Sequence, residues 1–177
     1  MVRTRVGYAG GHSAHPTYHD LGDHSESIQI EFDPQVLTYE QLLQVAVREG
    51  AFDAPEFSRQ YRSVVFFHNE EQRKAAQRAG IRSLEPAGEF TRAEDYHQKY
   101  YLQQSALAQE FYGMFADVRA FTDSTAAARA NGILGGHVAK EQVQRWLPSL
   151  GVSAEGGQTL LRVSPREGGG GCALPES

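Results

Sequence analysis

The sequence predicts an α/β (α+β) fold, with a mixed β-sheet flanked by helices, a helical C-terminal extension and a flexible tail. Three observations predict it. Strand-like and helix-like segments alternate in the first half of the chain, the second half carries helical signals almost throughout, and the last residues are rich in glycine and proline. The 177 residues suit one compact domain over residues 1–150, followed by an extension and glycine-rich tail over residues 151–177.

The first two predicted elements are strands joined by a long loop. Residues 3–8 read as a short strand. Residues 9–24 contain a glycine pair, a proline and a Gly-Asp step, all of which break regular structure, so a turn-rich loop is expected there. Residues 27–32 alternate polar and apolar side chains, which predicts a half-buried strand.

A helix, a strand and a second helix are predicted next. Thr38 and Gln41 have the spacing of a capping box, and Gly50 is placed to end the helix that follows. Residues 63–68 are β-branched and aromatic, which predicts a buried strand. An asparagine then caps a polar, alanine-bearing helix expected over residues 70–84.

The rest of the chain is predicted to be helical to about residue 150. The expected helices cover residues 95–104, 107–115, 124–131 and 139–147. From residue 164 onward the chain contains two prolines and four consecutive glycines. Such a composition cannot build a core, so this end is predicted to be a flexible tail.

Composition excludes several classes of partner. The formal net charge is −5, which gives no basic surface for nucleic acid. No apolar run approaches the roughly 20 residues that span a bilayer, and the N-terminal residues lack the apolar stretch of a secretory signal. The single cysteine excludes an internal disulfide and fits a reducing compartment. We therefore expect a cytoplasmic monomer.

Three motifs carry the polar side chains of most interest. Residues 6–26 read VGYAGGHSAHPTYHDLGDHSE, residues 60–63 read QYRS, and residues 93–98 read AEDYHQ. Together these motifs resemble the A-type peptide methionine sulfoxide reductases, in a variant with a shorter first loop. The resemblance covers residues 2–150 and implies reduction of methionine-S-sulfoxide, with no bound cofactor and with an external thioredoxin-like dithiol as the reductant.

The resemblance also implies a role for three side chains. Tyr18 and Tyr61 correspond to the tyrosines that bind the sulfoxide oxygen, and Glu26 corresponds to the acid that gives this oxygen a proton. The chemistry suits these residue types, because preorganised donors stabilise an oxygen on which charge develops and a carboxylic acid can supply a proton. The alternative is that the tyrosines are packing aromatics and Glu26 is a surface carboxylate.

Other acids have structural interpretations. Asp53 or Glu56 stands where the family carries an aspartate, and a solvated loop acid is the preferred interpretation. In the third motif, acids at the start of a helix suit the helix dipole, so Glu94 is assigned to the scaffold. Tyr96 and His97 are candidates for the border of the site.

The histidines offer a rival hypothesis. Four histidines and two aspartates fall within residues 12–24 and carry the chemistry of metal ligands: His12, His15, His19, Asp20, Asp23 and His24. Their spacing is not that of a helical ligand pair. Exposed loop histidines are therefore the preferred interpretation, and no metal site is assigned.

The nucleophile of the family lies in a glycine-cysteine-phenylalanine-tryptophan motif, which this chain does not contain. The only cysteine, Cys172, lies in the glycine-rich tail. The resemblance gives it a resolving role, whereas its sequence neighbours favour an inert exposed thiol. We expect the chain to lack the family's first strand and nucleophile helix, as a partial gene model or shortened isoform. The alternative is a non-catalytic relative that binds sulfoxides or regulates.

Overall fold

The computed structural model describes residues 2–52 and 58–165. The loop acids Asp53 and Glu56, the tail from residue 166 and Cys172 lie outside the described residues. The strands are β1 (Arg3–Ala9), β2 (Ser25–Glu31), β3 (Val65–Phe67), β4 (Leu84–Pro86) and β5 (Thr91–Arg92). The helices are α1 (Tyr39–Arg48), α2 (Glu70–Arg78), α3 (Tyr100–Gln103), α4 (Ala108–Met114), α5 (Val118–Thr122), α6 (Thr125–Leu134), α7 (Lys140–Trp146) and α8 (Ala154–Val163).

These elements confirm the predicted α/β class. The chain divides into two compact units, one formed by residues 6–94 and the other by residues 2–5 together with the chain from residue 95 onward. Strands β2 to β5 and the end of β1 (Val6–Ala9) lie in the first unit, and α3 to α8 lie in the second. The candidate site residues Tyr18, Glu26 and Tyr61 all belong to the first unit.

The first unit holds a three-stranded sheet with the order β2-β1-β5. β1 and β5 are antiparallel, with Gly7 opposite Arg92 and Tyr8 opposite Thr91. The C-terminal residues of β1 are buried, whereas Ile28 on the edge strand β2 is 60% exposed. The alternating pattern predicted this strand correctly, although it does not bury Ile28.

A second, two-stranded sheet pairs β3 with β4 in parallel, and α2 connects them. Two predictions need correction here. The β3 strand is half-buried rather than buried. The second helix ends at Arg78 rather than near Leu84, because Gly80 adopts φ +83° and turns the chain, and Leu84 then begins β4.

The first helix follows its sequence signals closely. The Thr38 hydroxyl accepts a hydrogen bond from the Gln41 N–H at 3.2 Å, and the Gln41 side chain accepts one from the Thr38 N–H at 2.9 Å. This confirms the capping box. Leu43 of α1 packs with Ala75 and Ala76 of α2 in a small apolar cluster, which fixes the two helices against each other.

The helices of the second unit surround a larger core. Its fully buried side chains include Phe111, Phe121, Ile133, Val143 and Leu160. The sequence located α4, α6 and α7 correctly but missed α5 and α8. The first has only five residues, and the second carries two glycines that read as helix breakers. No described helix is long and apolar enough to cross a membrane.

Residues 2–5 are attached to this helical unit by polar contacts. The Thr125 hydroxyl donates to the Val2 carbonyl at 2.6 Å. The Arg5 guanidinium donates to both Asp123 carboxylate oxygens, at 2.7 and 3.0 Å. Both side chains of this pair are more than four-fifths buried. These contacts hold Val2 and Arg5 to residues of the helical unit, whereas Val6–Ala9 of β1 belong to the first unit.

Candidate active site

The loop between β1 and β2, residues 9–24, is held in shape by the side chain of Asp23. Its carboxylate accepts hydrogen bonds from the His12 N–H at 2.9 Å and from the Ser13 N–H and hydroxyl at 3.0 and 2.8 Å. These hydrogen bonds hold the pKa of Asp23 well below its ordinary value, and the bond from the Ser13 N–H has the largest effect. The loop is therefore ordered by one ionised carboxylate.

Arg59 connects the two ends of this loop. Its Nε donates to the Asp23 carbonyl at 2.6 Å, and its Nη2 donates to the Gly10 carbonyl at 3.0 Å. Gly10 adopts φ +78°, a conformation that glycine reaches without a steric penalty. Arg59 is thereby bound to both ends of the loop.

Glu94 holds Tyr18 in place. One of its carboxylate oxygens accepts a hydrogen bond from the hydroxyl of the buried Tyr8 at 2.6 Å, and the other accepts one from the Tyr18 backbone N–H at 3.1 Å. Tyr18 lies between Thr17 and Asp20, whose backbones pair at 2.9 and 3.1 Å. Glu94 does belong to the scaffold, as the sequence indicates, but it supports the tyrosine loop rather than a helix end.

Glu26 and Tyr61 are joined through the side-chain amide of Gln60. The Gln60 Nε2 donates to the Glu26 Oε1 at 2.8 Å and to the Tyr61 Oη at 2.9 Å. In addition, the Glu26 backbone N–H donates to the Gln60 carbonyl at 3.0 Å. The first residues of β2 and the QYRS motif therefore meet through both backbone and side chain.

The electrostatics of Tyr61 show which groups surround its hydroxyl. The negative charge of Glu26 raises the pKa of Tyr61 above its ordinary value, desolvation and the neighbouring Tyr18 phenol raise it further, and the Gln60 amide opposes the rise. The phenol therefore stays protonated and can donate. Tyr18 is 42% and Tyr61 56% exposed, so a side chain presented from outside can reach both.

A network of partly buried polar groups involves Arg59 and Arg62, on either side of Gln60 and Tyr61. The Arg62 Nε donates to the Ser25 hydroxyl at 2.7 Å, and this hydroxyl donates to the Arg59 carbonyl at 2.8 Å. The Arg62 guanidinium also binds both carboxylate oxygens of Glu85. These hydrogen bonds from Arg62 lower the pKa of Glu85. The network fixes the residues on either side of Gln60 and Tyr61.

The structure does not gather the loop histidines into a metal site. The His12 side chain is 94% exposed, whereas His24 is buried and its Nδ1 lies 3.2 Å from the Leu21 carbonyl oxygen. Within residues 2–52 and 58–165, no three or more histidine, cysteine, aspartate or glutamate side chains are grouped so as to hold a metal ion. Asp23, one of the acids in that hypothesis, is engaged with loop N–H groups instead.

Tyr18 and Glu26, both from the first motif, lie close enough to Tyr61, from the second, to raise the pKa of its phenol. Tyr96 and His97 lie in the second unit, with their ring centroids 4.2 Å apart. Their place at the border of the site stays a prediction.

Sequence reasoning missed three supporting residues. Gln60 joins the acid to a tyrosine, Arg59 connects the loop ends, and Asp23 orders the loop. Gln60 and Asp23 stand inside the quoted motifs, and Arg59 directly precedes one. Membership of a motif was therefore the available signal, but apart from Tyr61, which directly follows Gln60, the partners named here lie 10 to 49 residues away along the chain.

The chain is similar to known proteins over most of its described length. The family model described as peptide methionine sulfoxide reductase matches residues 1–129. The peptide methionine sulfoxide reductase MsrA of Methanothermobacter thermautotrophicus is 40% identical over 122 residues, which is 56% of this chain and 72% of that protein. The peptide methionine sulfoxide reductase A5 of Oryza sativa subsp. japonica is 34% identical over 148 residues, which is 74% of this chain and 58% of the rice protein.

Two further similarities extend the comparison. The peptide methionine sulfoxide reductase of Drosophila melanogaster is 32% identical over 167 residues, which is 86% of this chain and 67% of that protein. Among solved structures, methionine sulfoxide reductase A of Corynebacterium diphtheriae is 28% identical, with a TM-score of 0.46, and the match covers 57% of this chain and 63% of that one.

Proposed function

The chain belongs to the peptide methionine sulfoxide reductase family, and from that premise we propose that Tyr18, Glu26 and Tyr61 bind and protonate the oxygen of methionine-S-sulfoxide. The two phenols donate hydrogen bonds to this oxygen, and Glu26 supplies the proton. Donors fixed in advance stabilise developing negative charge far better than mobile water does. A carboxyl group within hydrogen-bond reach can transfer its proton as that charge develops.

The observation that carries this proposal is the junction of Glu26 and Tyr61 through Gln60, with the Tyr18 phenol near enough to raise the pKa of Tyr61. Residues that serve only packing would be buried against apolar neighbours. Here both phenols are exposed and the acid is exposed beside them. A cluster of donors at the surface suits a methionine sulfoxide carried on another protein.

The complete reduction also needs a thiol. A thiolate attacks the sulfoxide sulfur, the oxygen and one proton pass to the thiol sulfur as a sulfenic acid, and methionine is released. A dithiol then reduces the sulfenic acid, which gives a disulfide and water. The proposal assigns the oxygen and proton chemistry to the described residues. Cys172 stays a candidate for the resolving thiol.

The proposal includes the setting of this reaction. A small thioredoxin-like dithiol protein reduces the enzyme, no cofactor stays bound, and the protein works as a monomer in the cytoplasm. The support is chemical, because thiol exchange needs only a second dithiol, and a chain with one cysteine suits a reducing compartment.

Binding of a peptide that contains methionine-S-sulfoxide tests the site directly. We expect the chain to bind this peptide and not the same peptide with unoxidised methionine. Tyr18→Phe, Tyr61→Phe and Glu26→Gln should each weaken binding about three- to tenfold, the value of one hydrogen bond. Tyr100→Phe is the matched control, because Tyr100 is 57% exposed and lies outside the cluster. Equal affinity for the oxidised and unoxidised peptides would contradict the proposal.

Turnover is tested separately with the same peptide and dithiothreitol. Cys172→Ser removes the only thiol of the sequence. Turnover in which Cys172 supplies the attacking thiolate should therefore disappear in this variant, whereas turnover in which dithiothreitol attacks the bound sulfoxide should persist, and peptide binding should stay unchanged. A loss of binding in Cys172→Ser would show that the cysteine contributes to the oxygen site, which the proposal excludes.

A further inference from the structure

We propose that Gln60 is a positioning residue that makes the Tyr61 hydroxyl a hydrogen-bond donor toward the sulfoxide and holds the Glu26 carboxyl group beside it. The inference deepens the proposed function and rests on it. Gln60 itself does not touch the sulfoxide. Its side chain lies between the two groups that do, and its amide determines where their hydrogen atoms point.

The hydrogen-bonding capacity of the three groups supports this role. A side-chain amide nitrogen carries two hydrogens and accepts none. The Gln60 Nε2 uses them on the Glu26 Oε1 at 2.8 Å and on the Tyr61 Oη at 2.9 Å. An ionised carboxylate can only accept, so the nitrogen of the amide faces Glu26 in that form, and a protonated Glu26 keeps a carbonyl oxygen that accepts from the same N–H.

The consequence falls on Tyr61. Its oxygen accepts from Gln60, so its own hydrogen cannot point back along that line. The Tyr61 side chain is 56% exposed, and the hydroxyl hydrogen therefore points toward the outside, where an acceptor can approach. Without Gln60, the Tyr61 hydroxyl could donate directly to the Glu26 carboxylate. It would then be engaged with the acid and not with a ligand.

The same amide also suits the proton transfer from Glu26. After the acid has lost its proton, the bond from Gln60 becomes a charge-assisted one to a carboxylate. An amide does not titrate, so Gln60 holds the carboxyl group without competing for its proton. A second bond, from the Glu26 N–H to the Gln60 carbonyl at 3.0 Å, fixes the backbones and keeps these distances short.

The titration of Tyr61 reports on this contact without any ligand. Glu26 raises the pKa of Tyr61, and the hydrogen bond from Gln60 lowers it because the amide stabilises the phenolate. Removal of the amide should therefore raise the pKa of Tyr61 further. A residue that only fills space would leave this titration unchanged, so the pKa distinguishes positioning from packing.

The experiment uses the full chain labelled at the tyrosine ring carbon that bears the hydroxyl, with NMR titration of Tyr61. Gln60→Met keeps the length of the side chain and removes the amide, and Gln60→Ala removes the side chain with minimal strain at this partly exposed position. Gln77→Met is the matched control, an exposed glutamine on α2. Both Gln60 variants should raise the pKa of Tyr61. They should also weaken binding of the methionine-S-sulfoxide peptide about three- to tenfold.

The outcomes separate the two proposals. If the folded Gln60 variants, checked by their amide spectra, leave the Tyr61 titration or the peptide affinity at the wild-type value, the positioning role is wrong. If the wild-type chain does not bind the peptide, the proposed function is wrong, while the Tyr61 titration still shows whether the amide contact exists. Equal effects of Gln77→Met and Gln60→Met would also overturn the inference.

Discussion

At the scale of single residues, the candidate site depends on two acidic side chains that support its loop by accepting hydrogen bonds. Asp23 and Glu94 hold the loop and the backbone that carry Tyr18. Tyr18, Glu26 and Tyr61 could be predicted as site residues because they lie within motifs that resemble those of a known family. The partners of each acid could not be predicted, because a carboxylate in a loop can bind any N–H group that the fold brings to it.

Glu94→Gln tests whether the loop depends on this support. The change replaces one acceptor oxygen by an NH₂ group, so the bond from the Tyr8 hydroxyl or from the Tyr18 N–H is weakened. Because Tyr8 is only 2% exposed, we expect a cost of about 1–3 kcal/mol. Hydrogen exchange at the Tyr18 amide should become faster, and Glu71→Gln on the exposed side of α2 should change nothing. An unchanged exchange rate at Tyr18 would contradict the assignment.

Glu85→Gln tests the network beneath the site through pH. The bonds from Arg62 lower the pKa of Glu85 below its ordinary value of 4.5 in the folded state. The pair therefore stabilises the fold above that value, and the benefit disappears as the pH falls through the lowered folded pKa. At neutral pH we expect Glu85→Gln to cost about 1 kcal/mol, a small value because the Glu85 side chain is 36% exposed.

Urea unfolding at several pH values measures this difference. The wild type and Glu85→Gln should approach the same stability as the carboxyl group becomes protonated. Glu89→Gln provides a control in the same unit, at an exposed position. A stability gap that stays constant from neutral to acid pH would show that packing, and not the charge of Glu85, stabilises this part of the fold.

At the scale of elements, predictions succeeded where the signal is local. The capping box of α1 and the asparagine cap of α2 involve residues three positions apart, and both are present. The short strands β4 and β5 depend on pairing with strands elsewhere in the chain, which no window of sequence contains. Helix α8 was missed because its Gly156 and Gly157 read as breakers, although a Cβ on Gly157 would make only ordinary contact with Leu147 and one on Gly156 would meet the Glu110 carboxylate at 2.7 Å.

Substitutions of Gly10 and Gly80 distinguish the cost of an unfavourable backbone conformation from the cost of close packing. Both have positive φ, +78° and +83°. A Cβ on Gly10 would lie 2.5 Å from the Phe66 ring and 2.7 Å from the Arg62 Nη2, whereas a Cβ on Gly80 would meet nothing within 4 Å. Gly80→Ala should cost about 1–2 kcal/mol for the conformation alone. Gly10→Ala should cost about 1–3 kcal/mol more, because Phe66 and Arg62 must move.

Urea midpoints of the two glycine variants decide this point. They share the backbone penalty, so the difference between them reports the packing at the start of the tyrosine loop. Weaker binding of the sulfoxide peptide is expected for Gly10→Ala only, since Arg59 donates to the Gly10 carbonyl. Equal midpoints would mean that the Phe66 ring can move away from the new methyl group without loss of stability.

At the scale of the whole molecule, the site and the main core lie in different units. The family match ends at residue 129, yet Leu150 and Leu160 beyond it pack in the same cluster as Phe111 and Phe121. The helices after the match thus complete a core that earlier helices begin. The sequence predicted helices there, but their shared core depends on side chains about 40 residues apart.

The position of Phe121 predicts where the stability of the helical unit is concentrated. Its side chain is fully buried, and the rings of Phe111, Tyr112 and Phe115 lie 6.4, 5.0 and 6.1 Å from it. Phe121→Ala should cost about 3–5 kcal/mol, because it removes the ring and leaves a cavity that these aromatics cannot close. Val118→Ala, on the same helix at a position 38% exposed, should cost less than about 1 kcal/mol.

Hydrogen exchange in α5 and α6, together with urea unfolding, measures both variants. Phe121→Leu keeps the protein measurable if the alanine variant does not fold, and its expected cost is about 1–2 kcal/mol. Similar losses for Phe121→Leu and Val118→Ala would show that the aromatic cluster is not the centre of this unit. A graded loss from alanine to leucine to the exposed control supports one tightly packed core, because the cost of each change then follows the buried volume it removes.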